Sequence, residues 1–232
     1  MPKGLQGVSF ADSRSCILII ILALLFGLWQ GPGGCSTRAH NQEALESLKV
    51  FDFKGAVDNL EAALRLDPDS VVVRVNLSLA HFYAGNLEEA NQGLEQVLKK
   101  DPDEPYARYL FAVIADREGR TQAAKTNFRK VLELVPGDPG SYYHLGLLAL
   151  REEEPGRAVE LFEQSLAGNP GCTASLYNLG RALLACGRKE EASAVLARFR
   201  ALQEKKPPGL GGGMGDPSLL VGKYGQPRGI PE

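Results

Sequence analysis

Apolar positions along this chain recur in two alternating helical patterns. The first is seen in VNLSLAHFYAG (75–85), YLFAVIADREG (109–119), YYHLGLLALRE (142–152) and LYNLGRALLACG (176–187). Each places apolar side chains at the spacing of one buried helix face. The second is seen in GAVDNLEAALRLDP (55–68), EANQGLEQVLKKDP (89–102), AAKTNFRKVLELVP (123–136) and RAVELFEQSLAGNP (157–170). Here a small residue, a large apolar one four positions on and a further apolar or small one at i+7 fall on one helix face. Glycine separates the two patterns at Gly85, Gly119 and Gly187, and Glu153 stands at that place in the remaining unit. The second pattern ends at a proline, which disfavours helical dihedrals in the residue before it.

Laid over one another, the second patterns align without a gap. Pro68, Pro102, Pro136 and Pro170 are each 34 residues apart, as are Ala56, Ala90, Ala124, Ala158 and Ala192. A large residue keeps the same period at Leu60, Leu94, Phe128, Phe162 and Leu196. Small residues at Ser78, Ala112, Gly146 and Gly180 supply matching gaps on the first helix. A fixed period of this length, built from two helices, predicts an all-α solenoid of about four to five helix-turn-helix units.

These residues carry a resemblance to the tetratricopeptide-repeat (TPR) family. The segments YYHLG and LYNLG, with Ala158, Phe162 and Pro170 closing the best unit, are similar to the family pattern of aromatic, Leu-Gly, Ala, Phe and Pro. The match runs from about Val50 to Leu202, with whole units at 71–104, 105–138, 139–172 and 173–206 and a degenerate unit before them. The resemblance implies a right-handed solenoid over 50–206 and leaves 36–49 as a degenerate start or linker. Glu204 stands where the last unit should have its proline.

The family resemblance implies a concave groove, lined by the first helices, that holds a protein or peptide partner. By repeat position one row would display Val75, Tyr109, Tyr143 and Tyr177. Neighbouring rows would display Leu79, Val113, Leu147 and Arg181, then Tyr83, Arg117, Arg151 and Ala185. Tyrosine and arginine are enriched at interface hot spots, so Tyr109, Tyr143, Tyr177, Arg117, Arg151 and Arg181 are the candidate contacts. Tyr142 is assigned to the family's packing position, and His144 to no role. The Lys and Asn set with which some family members grip a terminal carboxylate is not reproduced.

Both ends depart from the repeat. Lys3 and Arg14 precede the apolar run Ile17–Trp29, and small residues follow it. This is the arrangement of an export signal over residues 1–35. Thirteen helical residues cover roughly 20 Å, less than a hydrocarbon core of about 30 Å, but residues 16–34 are long enough for a retained anchor. Gly33-Gly34-Cys35 resembles a bacterial lipoprotein site, with Cys35 as the acylated residue, although Pro32 departs from the motif. Cleavage after Ala39 and retention as an anchor stay open beside it. The expected location is the bacterial cell envelope, periplasmic or on the outer surface, with the protein tethered to a membrane. At the other end, residues 207–232 hold five prolines and eight glycines, too little apolar content to fold alone, and a flexible tail is expected. Within it, SLLVGKYG suggests a short docking segment.

Composition narrows the function further. A net charge of −2 gives no footprint for nucleic acid. His40, His81 and His144 are scattered, and no paired Cys/His spacing predicts a metal. No nucleotide-binding loop or nucleophile motif is present, so the chain is expected to be no enzyme and to need no cofactor. Asn76-Leu77-Ser78 is a glycosylation sequon expected to lie buried. The predicted function is a non-catalytic scaffold or adaptor. The other reading is a recognition arm for a larger enzyme, or for an FG-GAP/UnbV-type multidomain system whose other domain lies outside this chain.

Overall fold

A computed structural model describes residues 33–204. Among the described residues the fold is all-α, with no strand. Five helix pairs follow one another: α1 (Gly33–Lys49) with α2 (Phe53–Leu66), α3 (Val71–Ala84) with α4 (Leu87–Lys100), α5 (Pro105–Arg117) with α6 (Thr121–Leu134), α7 (Pro139–Arg151) with α8 (Pro155–Gly168), and α9 (Thr173–Ala185) with α10 (Lys189–Glu204). Each helix packs on its sequence neighbours, so the pairs form the expected solenoid.

The 34-residue period is visible in local chemistry at both ends of the first helices. Ser70, Glu104 and Asp138 cap α3, α5 and α7, accepting the backbone N–H of Val73, Ala107 and Ser141 at 3.4, 2.5 and 2.7 Å. These bonds satisfy N–H groups that have no partner within the helix. Cys172 occupies the same position before α9 and makes no such bond. The turn inside each unit needs a left-handed residue. Gly85, Gly119 and Gly187 supply it with φ of 88°, 76° and 77°, while Phe51 and Glu153 adopt 62° and 61° at the same register position. Side chains other than glycine are strained there.

The core lies where two helices of a unit cross. Ala56, Ala90, Ala124, Ala158 and Ala192 have no exposed surface, and neither do Leu60, Leu94, Phe128 and Phe162. The close approach is direct: a Cβ on Gly146 would lie 2.7 Å from the Phe162 ring, and one on Gly180 would lie 2.6 Å from Leu196. Small residues on the first helix and large ones on the second therefore interlock as the sequence implied.

Helix α1 is not a linker. It buries Thr37, Asn41, Ala44 and Leu45 and serves as the first helix of the degenerate unit. Its pattern escaped the repeat alignment because polar residues replace most of the apolar face. Asn41 accepts a hydrogen bond from Asn76 at 2.8 Å, and Asn76 is buried, so the folded repeat does not present its sequon. The helix begins at Gly33, before Cys35. The apolar run Ile17–Trp29 and the 207–232 tail lie outside the described residues, and so does the side chain of Cys35.

Candidate functional site

The tyrosine row is mostly interior, which corrects the groove assignment. Tyr109 is 1% exposed, with its ring 5.6 Å from that of Phe128 at 72°. Its phenol oxygen reaches the next first helix, where a Cβ on Gly140 would meet it at 2.7 Å. Burial drives the Tyr109 phenol pKa well above its ordinary range. Val75 is equally buried at 2%. Tyr143 is nearly buried between His144 and Phe162, with ring separations of 5.3 and 6.0 Å. Burial pushes its phenol up to about 12, against the opposing effect of a hydrogen bond with Asn178. Tyr177 alone in this row is open, 46% exposed. These side chains fill the space between successive first helices, and no further first helix follows α9 among the described residues.

His144 belongs to the same packing. Its ring stacks flat on Phe128 at 4.9 Å and 5°. Both ring nitrogens are buried without a hydrogen bond. Burial lowers its pKa to about 4; Asp116 works against that shift and Arg151 adds to it. Tyr142, Tyr143 and His144 are thus consecutive residues of one packed helix.

The arginines behave differently. Arg117 is exposed, with its guanidinium 5.1 Å from the centre of the Phe82 ring. Arg151 reaches from α7 to α5 and pairs with Asp116, whose side chain is the more buried of the two. Arg181 on α9 lies 5.9 Å over Tyr177, and its Nη1 donates to Asn178 Oδ1 at 3.1 Å. No carboxylate lies within ion-pair distance of Arg181 among the described residues. Arg151 and Arg181 come together with Asp116, Leu147 and Leu150 around an open cavity of about 350 Å³. All five belong to first helices, α5, α7 and α9. The site therefore offers an apolar floor, one guanidinium already paired and one without a carboxylate partner.

Arg117 stands outside this cavity, and Asp116 and Leu150 were not among the expected contacts. Asp116 did leave a signal. At its register position the other units carry Phe82, Leu150 and Leu184, so an acid there is an exception that needs a partner. Among the described residues no group of three or more metal-ligating side chains comes together. Cys172 and Cys186 are free thiols, and Cys172 Sγ accepts from Ser175 Oγ at 3.2 Å.

Models of the tetratricopeptide repeat match residues 47–114 and 149–207, and another matches 105–138. The chain belongs to the tetratricopeptide-repeat family. Comparison with curated proteins finds no match. Among solved structures, a crystal structure of MamA protein is similar at 22% identity and a TM-score of 0.58, covering 78% of this chain and all of the other. MamA residues 41 to the end from Desulfovibrio magneticus RS-1 give 17% identity and a TM-score of 0.61, covering 75% and 98%. Pseudomonas aeruginosa PilF gives 20% identity and a TM-score of 0.63, covering 81% of each chain. These likenesses establish the TPR fold. Proteins of this repeat family act as protein-interaction scaffolds, generally without catalysis.

Proposed function

We propose that this TPR protein is a non-catalytic adaptor that holds a segment of a protein partner in its first-helix groove. The observation that carries this reading is the cavity shared by Asp116, Leu147, Leu150, Arg151 and Arg181. A segment bearing an acidic side chain beside an apolar one fits it. The apolar group covers Leu147 and Leu150, and the carboxylate meets the guanidinium of Arg181. Arginine suits this role because its planar fork binds a carboxylate through two parallel hydrogen bonds. Tyr177 below Arg181 holds the guanidinium in place.

The protein is placed in this proposal on the outside of a bacterial cytoplasmic membrane, exported and tethered at its N-terminus through Cys35. The basic residues, apolar run and Gly-Gly-Cys sequence support that placement. Among the described residues no helix is long and apolar enough to cross a membrane. One acyl chain gives marginal membrane binding, and stable attachment requires a second signal.

Affinity capture from the native host tests the groove. Arg181→Ala should reduce partner recovery about tenfold, the scale of one lost charge-assisted contact. Arg117→Ala, outside the cavity, should leave it unchanged. Equal recovery with both variants would remove the groove assignment. Fatty-acid labelling of wild type and Cys35→Ala tests the tether separately, and equal labelling would rule out lipidation at Cys35.

A further inference from the structure

We propose that residues 218–224, Ser218-Leu219-Leu220-Val221-Gly222-Lys223-Tyr224, dock on the open end of the helical stack, against Tyr177, Leu196 and Phe199. Three register rows lead to this surface. Leu60, Leu94, Phe128 and Phe162 have no exposure, yet Leu196 at the same position is partly exposed. Ala63, Val97, Val131 and Ser165 are at most 1% exposed, and their counterpart Phe199 is again partly open. Val75, Tyr109 and Tyr143 are buried, whereas Tyr177 is 46% exposed. All three rows open at one place, and the rings of Tyr177 and Phe199 lie 5.6 Å apart there.

Inside the stack the next first helix covers these rows, as Gly140 covers Tyr109 and His144 covers Phe128. The residues that would form such a helix after α10, 207–219, contain three prolines and five glycines. Proline and glycine are the poorest helix formers. The apolar surface is left for another segment, and Leu219-Leu220-Val221 is the longest uninterrupted apolar run after Glu204.

The connection has the right length. Leu219 lies fifteen residues after Glu204. A glycine-rich chain of that size has a root-mean-square span of about 20 Å. Phe199 lies only five residues before Glu204 on α10, roughly 7 Å along the helix. Tethering at this range gives an effective concentration in the millimolar range, so a small apolar contact suffices to populate the docked form. A second copy stacked head to tail would instead bring the exposed Arg38, Gln42, Glu43 and Glu46 of α1 onto this apolar surface, a poor match.

Full-length protein carrying the photo-crosslinker p-benzoylphenylalanine in place of Lys223 provides the test, illuminated at high dilution. Cross-links within one molecule to α9 and α10 are expected. In a Leu219→Asp, Val221→Asp double variant, amide exchange in α10 should quicken about tenfold, the scale of one buried aliphatic side chain lost. Met214→Asp, in the glycine-rich spacer, should leave exchange as in wild type. Cross-links formed only between two molecules would overturn the proposal in favour of a self-association surface. Absence of cross-links, or α10 exchange unaltered in the double variant, would overturn it outright.

Discussion

The two ends of the stack treat the same geometric problem in opposite ways. At the start, α1 turns Arg38, Gln42, Glu43 and Glu46 outward and buries only a narrow set, Thr37, Asn41, Ala44 and Leu45. At the finish, Tyr177, Leu196 and Phe199 keep the apolar identities of interior positions, but among the described residues no further first helix covers them. A repeat array requires a polar outer face on its terminal units. The first unit presents such a face along α1, and the last does not among the described residues. Terminal positions thus reveal what each interior interface contributes, because the same side chain can be compared with and without its neighbour.

The largest expected effect comes from that comparison itself. Leu94→Ala removes a side chain with no exposure and should cost about 3 kcal/mol in urea unfolding. Leu196→Ala, at the same register position on the open end, should cost about 1 kcal/mol. Equal losses would mean that the end is covered as fully as the interior.

Acid should attack the stack at its middle, not at its ends. His144 is buried neutral with its pKa near 4, below the 6.5 of an unpaired imidazole. The unfolded chain therefore takes up the proton first. The stabilising effect is complete above about pH 6.5 and is lost as pH falls towards 4, a difference of about 3 kcal/mol. His144→Phe keeps an aromatic ring on Phe128 and should flatten this part of the stability profile. Unfolding free energies at pH 7 and pH 4.5 decide it, since an equal slope in the variant would assign the loss to other groups.

The smallest effect concerns the left-handed turns. Glu153→Gly places the residue used in three other units at a position with φ of 61° and should stabilise by about 1 kcal/mol. Phe51→Gly should yield less, because Phe51 also makes an edge contact with Phe53 at 6.3 Å. Thermal unfolding of the two variants separates backbone strain from the lost ring contact.

Much of this fold was legible because each rule is local. Alanine at a crossing, proline after a helix and a glycine at each turn repeat on one period, and even Glu153 was placed at the turn by register alone. Tyr109 and Tyr143 were misread for a nonlocal reason. Helical spacing identifies a face, but a first helix touches its own partner and first helices on both sides. Tyr109 looks outward only until α7 is set beside it, where Gly140 makes room for the phenol. Arg151 and Arg181 were legible as exposed residues of the first helices because a guanidinium has few places to go but outward. Their meeting with Asp116 was not, since the pair spans 35 residues.

The ungapped register has a consequence for how such a protein changes over generations. Caps at Ser70, Glu104 and Asp138 and left-handed turns at Phe51, Gly85, Gly119, Glu153 and Gly187 all keep one period. Duplication of a 34-codon block inside the array would deliver every crossing, cap and turn in phase and lengthen the stack by one unit. A single inserted codon within a helix pair would put them all out of phase. The gene can therefore grow in whole repeats far more readily than in single residues.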